Sequence, residues 1–242
     1  MLGLGSVGLI NDLEATTWGL ASLAPGEFVA LNDAVPDPRG NVGVIAAGTG
    51  LGEAGLVHAE SGRIPFATES GHAGFAPATS EQSRLIEFLR DDASSAVSIE
   101  VVCSGNGLVN IYRFCLHEVG RSEPAWLAEE AEHGDPAAAI AGIAEDGSDD
   151  AARHALAMFV AIYGSEAGNL ALRLLATGGI YVAGGIAPKL VDSLVAGGFM
   201  DAFVNKPPLS DLLRTVPVRV VVNDRVALLG AARHAASQGE DA

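Results

Sequence analysis

The chain has 242 residues, of which 49% are hydrophobic but only 5% aromatic, and 30 acidic residues against 14 basic ones give a formal net charge of −16. This length allows one large domain or two modest lobes around a core of small aliphatic side chains. The negative field repels phosphate backbones, so the composition argues against nucleic acid as a partner.

Signals of membrane insertion, export and metal binding are missing from the sequence. No apolar run approaches the ~20 residues that a membrane span requires. The apolar residues 1–9 have neither a basic segment nor a small-residue processing site, so we interpret them as part of a buried strand or loop. Cys103 and Cys115 lack the spacing of a metal or redox motif, which predicts two buried thiols in a cytoplasmic protein and no metal site.

The first predicted elements are a capped helix and a hairpin. Asn11 or Asp12 is expected to cap an amphipathic helix that extends to Leu23. Short apolar runs at 42–47 and 54–58 flank a glycine-rich turn, which predicts a β-hairpin around that turn.

Helical signals dominate the middle of the chain. A capping-box pattern predicts a helix over residues 79–90, and a second helix is expected from about residue 107. The segment 122–148 is rich in Ala, Glu, Asp, Gly and Pro, so we expect a solvent-exposed excursion of short helix and loop. Residues 149–176 form a nearly unbroken helical pattern.

Two strands and a final helix complete the predicted order. Gly164 and Gly168 lie four residues apart in the long helical pattern, which indicates close packing against another element. A strand is predicted at 179–185, ending in a double glycine, and another at 217–223, followed by a helix from about residue 225. The alternation of strands and helices places the chain in the α/β class.

The pair Asn11-Asp12 and the turn at 48–52 suggest the chemistry of a kinase. A carboxylate can accept the proton of a hydroxyl group, and a glycine turn can direct backbone N–H groups at phosphate. Together they are the minimal equipment for phosphoryl transfer to an alcohol. Two alternatives stay open from these residues alone: the pair is only a helix cap, and the glycines form an ordinary hairpin turn.

Other polar and glycine positions are candidates for ligand contacts. Glu69 and His72 flank Ser-Gly in a loop, an arrangement that suits neighbouring sugar hydroxyl groups, although a structural histidine in a turn explains His72 equally well. Glu100 follows a short apolar run and is by default a solvated charge at a strand end. Gly184 and Gly185, taken alone, indicate only a strand-to-helix turn. The turn at 48–52 matches neither a Walker A nor a Rossmann motif.

From residue 10 to about 234 the chain resembles one known family, and six stretches in a fixed order carry the resemblance. That family is the bacterial glucokinases of the non-ROK type. The stretches are Ile10-Asn11-Asp12, Gly48-Thr49-Gly50-Leu51-Gly52, Glu69-Ser70-Gly71-His72-Ala73-Gly74-Phe75-Ala76-Pro77, Ser104-Gly105-Asn106-Gly107-Leu108-Val109-Asn110-Ile111-Tyr112-Arg113, Gly168-Asn169-Leu170-Ala171-Leu172 and Val182-Ala183-Gly184-Gly185-Ile186-Ala187-Pro188-Lys189.

The resemblance implies an actin/hexokinase-like ATPase fold, in which two ribonuclease H-like α/β lobes enclose glucose and ATP. It also implies ATP-dependent phosphorylation of glucose at the 6-hydroxyl group, assisted by Mg²⁺, in a cytoplasmic homodimer. Asp12 corresponds to the family's general base. The implied sugar contacts are Asn11, Glu69, His72 and Glu100. The implied nucleotide contacts are Gly48, Thr49, Gly50 and Gly52 for the phosphates, and Gly184 and Gly185 for the adenosine.

The chain departs from the family pattern at its beginning. The phosphate-binding segment of the form Gly-Asp-x-Gly-Gly-Thr-Asn is absent, so we expect an incomplete N-terminal lobe. Residues 1–10 are interpreted as a remnant of that lobe and 11–242 as a glucokinase-like region that is mainly the larger C-terminal lobe. Ser70 stands where the family usually has glycine.

Two other functions are weighed against the kinase. One is a truncated, catalytically inactive sugar-binding or vestigial member of the same family. The other is a ROK-type kinase or repressor, which is disfavoured because the sequence contains neither a cysteine-rich zinc motif nor an N-terminal pair of DNA-binding helices.

Overall fold

The computed structural model describes residues 8–60, 62–90 and 95–239, and its centre is a six-stranded mixed sheet. The sheet order is β1-β6-β5-β2-β3-β4, in which β5 runs parallel to β2 and β6 while the other neighbours are antiparallel. The strands are β1 (Phe28–Ala30), β2 (Val42–Ala47), β3 (Leu51–Ala59), β4 (Gly62–Ala67), β5 (Gly179–Ala183) and β6 (Val218–Val221).

Helices cover both faces of this sheet. In the described part of the chain they are α1 (Asp12–Gly19), α2 (Ser80–Leu89), α3 (Gly105–Glu118), α4 (Ala125–His133), α5 (Pro136–Glu145), α6 (Asp150–Leu174), α7 (Val191–Val195), α8 (Gly198–Val204), α9 (Ser210–Arg214) and α10 (Val226–Gly239). The larger core lies between the sheet and helices α3, α5, α6 and α8, and a smaller one lies under α1 and α10.

The predicted hairpin is confirmed. β2 and β3 pair antiparallel with Ala47 opposite Leu51, which leaves Gly48 to Gly50 as the connecting turn. The sequence did not predict β1 and β4. β1 has only three residues, and β4 is an edge strand that contains Pro65, so neither produces a clear strand pattern.

The long helical pattern is confirmed as α6. By length and composition α6 could cross a membrane, but 72% of its most apolar window is buried inside the protein, as in the core helix of a folded domain. A Cβ atom at Gly164 or Gly168 would collide with the backbone of Phe199 or Phe203 in α8. The predicted close packing at these glycines is therefore confirmed, and α8 is the partner.

One sequence expectation about exposure holds only in part, and another is wrong at Leu9. The segment 122–148 is not merely a solvent-exposed excursion, because it forms α4 and α5 and fully buries Leu127 and Ile140 in the larger core. Leu9 is fully exposed rather than buried, and the rest of the predicted N-terminal strand or loop, residues 1–7, lies outside the described residues. Both predicted thiols are confirmed as buried and free.

The start of α6 is stabilised by one carboxylate. Asp149 caps the helix by accepting a hydrogen bond from the Ala151 N–H group at 2.8 Å. It also accepts two from Arg121 at 3.0 and 2.8 Å and one from the Tyr112 hydroxyl group at 3.1 Å. The Arg121 guanidinium is the main cause that lowers the pKa of Asp149 to about 2. The side chain thus connects α3, the segment after it and α6.

We expect Asp149→Ala to lower the free energy of unfolding by about 1–3 kcal/mol, because a cap and a hydrogen-bond acceptor for Tyr112 are lost together. Urea denaturation at pH 7 measures this change. The difference from the unchanged protein should shrink as the pH falls from about 4 to 2, since the folded-state pKa is depressed. Asp150→Ala, at an exposed neighbour, is the control and should change stability by less than about 0.5 kcal/mol. Equal losses of stability in Asp149→Ala and Asp150→Ala would contradict the stabilising role of Asp149.

Candidate functional site

Three chain segments meet at the end of β2. The Gly105 N–H group, at the start of α3, donates to the Gly48 carbonyl oxygen at 2.8 Å. After β5, the Ile186 N–H group donates to the Ala47 carbonyl oxygen at 3.2 Å. Gly184 has a φ of +87° and lies so close to Ala47 that a Cβ atom would collide with it, so this position requires glycine. The junction is therefore fixed by backbone contacts.

A cavity of about 490 Å³ opens at this junction. One wall is the first turn of α5 and the other is the turn Ala187–Leu190 after β5. The volume lies within the range of small-molecule sites. The cavity is lined by Gly48, Thr49, Gly105, Asn106, Leu108, Gly134, Asp135, Pro136, Ala137, Ala138, Ala141, Gly185, Ile186, Lys189 and Leu190.

An ion pair joins the two walls of the cavity. Lys189 Nζ lies 3.3 Å from an Asp135 carboxylate oxygen, and Asp135 also caps α5 by accepting from the Ala138 N–H group at 3.0 Å. These two contacts, the backbone one first, lower the pKa of Asp135. The sequence analysis did not name either residue as a site residue. Asp135-Pro136 is a recognisable helix start, which is the signal that could have located this wall.

The loop that carries Glu69 and His72 lies beside Glu100. The Ile99 N–H group donates to the Ala73 carbonyl oxygen at 2.8 Å, and the adjoining residues also pair, so the two segments run side by side. Glu69 and His72 are exposed at the ends of a short 3₁₀ turn, with the His72 N–H group donating to the Glu69 carbonyl oxygen at 3.1 Å. The structure thus brings together three predicted sugar contacts.

Glu100 is hydrogen-bonded to the residue that follows the glycine turn. Its Oε2 atom accepts a hydrogen bond from the Leu51 N–H group at 3.0 Å, and a Cβ atom at Gly50 would lie 2.5 Å from the same oxygen. The side chain is half-buried in a 3₁₀ turn. The default interpretation of Glu100 as a solvated charge at a strand end is therefore wrong, and Gly50 is small because the carboxylate needs that space.

The Asn-Asp pair begins α1. Asn11 Oδ1 accepts from the N–H groups of Leu13 at 2.9 Å and Glu14 at 3.1 Å, so Asn11 is the N-cap. The cap uses only the carbonyl oxygen, so the amide nitrogen is compatible with a ligand contact. Asp12 is exposed, and one of its carboxylate oxygens accepts from the Leu13 N–H group at 2.9 Å. The helix ends at Gly19, before the predicted Leu23, and continues as a 3₁₀ turn.

α1 also packs on the hairpin. A Cβ atom at Gly52 would lie 2.9 Å from a methyl group of Leu13, which places Asp12 close to the start of β3. Of the predicted nucleotide contacts, Gly48, Thr49 and Gly185 line the cavity. Gly50 and Gly52 do not line the cavity, because they contact Glu100 and α1. Gly184 does not line it either, because it packs against the backbone of Ala47. Their contacts with a nucleotide stay predictions.

The turn from Gly48 to Gly50 connects the cavity with Glu100, since Gly48 and Thr49 line the cavity and Gly50 lies against the Glu100 carboxylate. Within residues 8–60, 62–90 and 95–239, no group of three or more His, Cys, Asp or Glu side chains could hold a metal ion. Such a site can position a hydroxyl group next to a bound phosphate chain.

Comparison with protein families gives one match. The family model described as Glucokinase matches residues 1–238. The glucokinase of Synechocystis sp. is 41% identical over 244 residues, which cover 96% of this chain and 69% of that protein. The glucokinase of Cronobacter sakazakii is 36% identical over 233 residues, with 96% of this chain and 70% of that protein covered.

Solved structures of glucokinases are also similar to this chain. A glucokinase from an Antarctic psychrotroph superposes with a TM-score of 0.82 at 31% identity, covering 93% of this chain and 67% of that one. Glucokinase from Balamuthia mandrillaris, solved in complex with glucose, gives a TM-score of 0.73 at 25% identity over 93% of this chain and 64% of that one. A ROK family glucokinase from Streptomyces griseus shares the fold at a TM-score of 0.61 and 21% identity. The chain thus spans about two thirds of the length of these proteins.

Proposed function

The chain belongs to the glucokinase family, and from that premise we propose that it transfers the γ-phosphoryl group of ATP to the 6-hydroxyl group of glucose. The observation that carries the proposal is the arrangement around one glycine turn. Gly48 and Thr49 line the 490 Å³ cavity on one side, and Glu100 is hydrogen-bonded next to Gly50 on the other. A phosphoryl donor and a sugar would therefore meet at this turn.

On the sugar side, Asp12 is the proposed general base. Its exposed carboxylate would accept the proton of the 6-hydroxyl group as that oxygen attacks the γ-phosphorus. The sugar is held by Asn11, through the amide nitrogen that the helix cap leaves available, and by Glu69, His72 and Glu100. Carboxylate, amide and imidazole groups match hydroxyl groups, since each hydroxyl both donates and accepts.

On the nucleotide side, the glycine turn and the cavity walls would hold ATP. Gly48 and Thr49 line the cavity, and because the Gly48 N–H group already donates to the Gly50 carbonyl oxygen at 2.8 Å, the Thr49 N–H group is the one that would meet phosphate. The mainly apolar walls formed by α5 and the turn after β5 would receive the adenosine at Gly185. Mg²⁺ accompanies ATP by binding mainly phosphate oxygens and waters, and when bound it neutralises charge that develops on the transferred group.

The alternative, an inactive sugar-binding protein, is not favoured, because a cavity of about 490 Å³ opens at the same turn to which Glu100 is hydrogen-bonded. The test is an assay coupled to glucose-6-phosphate dehydrogenase, with the purified chain, glucose, ATP and Mg²⁺. We expect NADPH to form at a rate proportional to the amount of chain and to stop when Mg²⁺ is chelated. Sugar binding without turnover at any chain concentration would favour the alternative instead. The same assay with ADP or polyphosphate in place of ATP identifies the phosphoryl donor. Mannose or glucosamine in place of glucose tests which hexose is accepted.

A homodimer in the cytoplasm is also part of this proposal, and it comes from the family resemblance. Sedimentation velocity over a range of concentrations measures the assembly. A mass of about twice the 24.6 kDa of the chain is the expected result.

A further inference from the structure

A buried pair of carboxyl groups lies beneath the sugar-binding loop. Glu53, in β3, is 0% exposed, and Glu166, in α6, is 4% exposed. The guanidinium group of Arg173 contacts both, with Nη1 at 3.3 Å from Glu53 Oε2 and 2.8 Å from Glu166 Oε1. Two buried carboxylates thus share one half-exposed cation, which is too little to neutralise both in a low-dielectric interior.

The hydrogen bonds around this pair are incomplete when both groups are charged. Asn169 donates to Glu166 Oε2 at 2.8 Å, but neither Glu53 Oε1 nor Glu166 Oε1 has a hydrogen-bond partner among the described residues. The Arg173 nitrogen near Glu166 Oε1 lacks hydrogen-bond alignment. One proton held between the two carboxyl groups would satisfy these oxygens and remove the excess negative charge.

The electrostatics agree with a retained proton. Burial, and then the proximity of Glu166, raise the pKa of Glu53 to about 8, against a lowering effect of Arg173. Lys206, whose Nζ donates to Ser165 Oγ at 2.7 Å, is the other nearby cation, and burial lowers its pKa. The remaining titratable neighbours, Cys103 and Tyr163, have pKa values raised by burial.

Glu53 is connected to the loop that carries Glu69 and His72. The Thr68 hydroxyl group donates to the Glu53 carbonyl oxygen at 2.8 Å. The hydroxyl oxygens of Thr68 and Ser70 lie 2.9 Å apart, and the Ser70 N–H group donates to Thr68 Oγ1 at 3.2 Å. The Ser70 hydroxyl group also has a lowering effect on the pKa of the Glu53 carboxyl group, as expected for two neighbouring side chains. Glycine at position 70 could make no such side-chain contact.

We propose that Glu53 is a positioning residue for the sugar-binding loop: its carboxyl group shares one proton with Glu166 and faces Ser70, while its main-chain carbonyl oxygen binds the loop through Thr68. The inference rests on the proposed function for its meaning, since it concerns the loop that presents Glu69 and His72 to the sugar. When the shared proton leaves, two adjacent carboxylates repel each other beneath the loop. The contact with Ser70 then changes, and sugar affinity falls.

The test is the dissociation constant for glucose, measured by titration calorimetry from pH 7 to 9.5, together with KM and kcat over the same range. We expect Kd and KM to rise roughly tenfold between pH 8 and 9.5 as the proton is lost, while kcat changes much less. Glu53→Gln, which keeps the shape and cannot ionise, should bind glucose with a pH-independent Kd. Ser70→Gly, which cuts the connection, should also flatten the profile. The control Glu87→Gln, at an exposed carboxylate, should keep the original profile.

Three results would overturn the proposal: a Kd that is flat with pH in the unchanged chain, a rise that persists in Glu53→Gln, or no glucose binding at any pH. Calorimetry measures glucose binding without turnover. A chain that binds glucose but does not phosphorylate it would contradict the proposed function, and its Kd profile would still test the role of Glu53.

The pH dependence of the free energy of unfolding tests the buried proton independently of glucose binding. Because the pKa of Glu53 is raised in the folded state, the unfolded chain releases a proton that the folded chain retains. The free energy of unfolding should therefore fall as the pH rises from about 4.5 to about 8, and less so in Glu53→Gln. Identical slopes in the two proteins would contradict the shared proton.

Discussion

Asp12→Asn is expected to lower kcat for glucose phosphorylation by about 10²–10⁴-fold, because the amide cannot accept the proton of the attacking hydroxyl group. The replacement has the same shape, and its carbonyl oxygen can still accept the Leu13 N–H group that Asp12 now accepts. The helix start and the affinity for glucose should therefore change little. The coupled assay gives kcat, and calorimetry gives the dissociation constant for glucose.

Glu14→Gln is the matched control, since Glu14 is another carboxylate in the first turn of α1. It should leave kcat within a few-fold of the unchanged chain. If Asp12→Asn and Glu14→Gln have similar kcat values, Asp12 is not the base. A loss that is explained by a lower melting temperature would also argue against a chemical role.

Gly185→Val is expected to raise KM for ATP by more than about tenfold, because the new side chain would occupy part of the cavity proposed for the nucleotide. A Cβ atom at Gly185 meets no protein atom within 4 Å, so the substitution fills the cavity without a collision. The KM for glucose and the melting temperature should stay nearly unchanged. Initial rates at varied ATP, followed by thermal unfolding, measure these quantities.

The control for this variant is Gly142→Val. Gly142 is exposed on α5, outside the cavity lining, and a Cβ atom there also meets nothing within 4 Å. The control should leave KM for ATP unchanged. An unaltered KM for ATP in Gly185→Val would show that the nucleotide does not bind in this cavity.

Local sequence patterns predicted much of the fold. Two apolar runs around a glycine turn determine the β2–β3 hairpin, and the spacing of Gly164 and Gly168 identified the face of α6 that packs on α8. The segment 122–148 was misjudged for a physical reason. Its helices are rich in alanine and acidic residues, so their apolar contrast is weak, and tertiary contacts bury Leu127 and Ile140.

The candidate sugar contacts were proposed where residues form contiguous motifs, and their contacts with a ligand stay predictions. Asn11, Asp12, Glu69 and His72 lie in short stretches that match the family, and the structure places the last two beside Glu100. The cavity wall at Asp135 and Lys189 was missed, because the ion pair joins two segments that are far apart in sequence. The cluster of Glu53, Glu166 and Arg173 was missed for the same reason, because β3 and α6 bring these residues together only in the folded chain.

The most direct test of the account is ³¹P NMR of the purified chain mixed with ATP, Mg²⁺ and glucose, compared with the same mixture containing 6-deoxyglucose. We expect the γ-phosphate signal to be replaced by a sugar phosphomonoester signal and by ADP with glucose, and no phosphomonoester with 6-deoxyglucose. A folded chain that binds glucose but yields no phosphomonoester, or yields only inorganic phosphate, would contradict the claim that this polypeptide phosphorylates the 6-hydroxyl group.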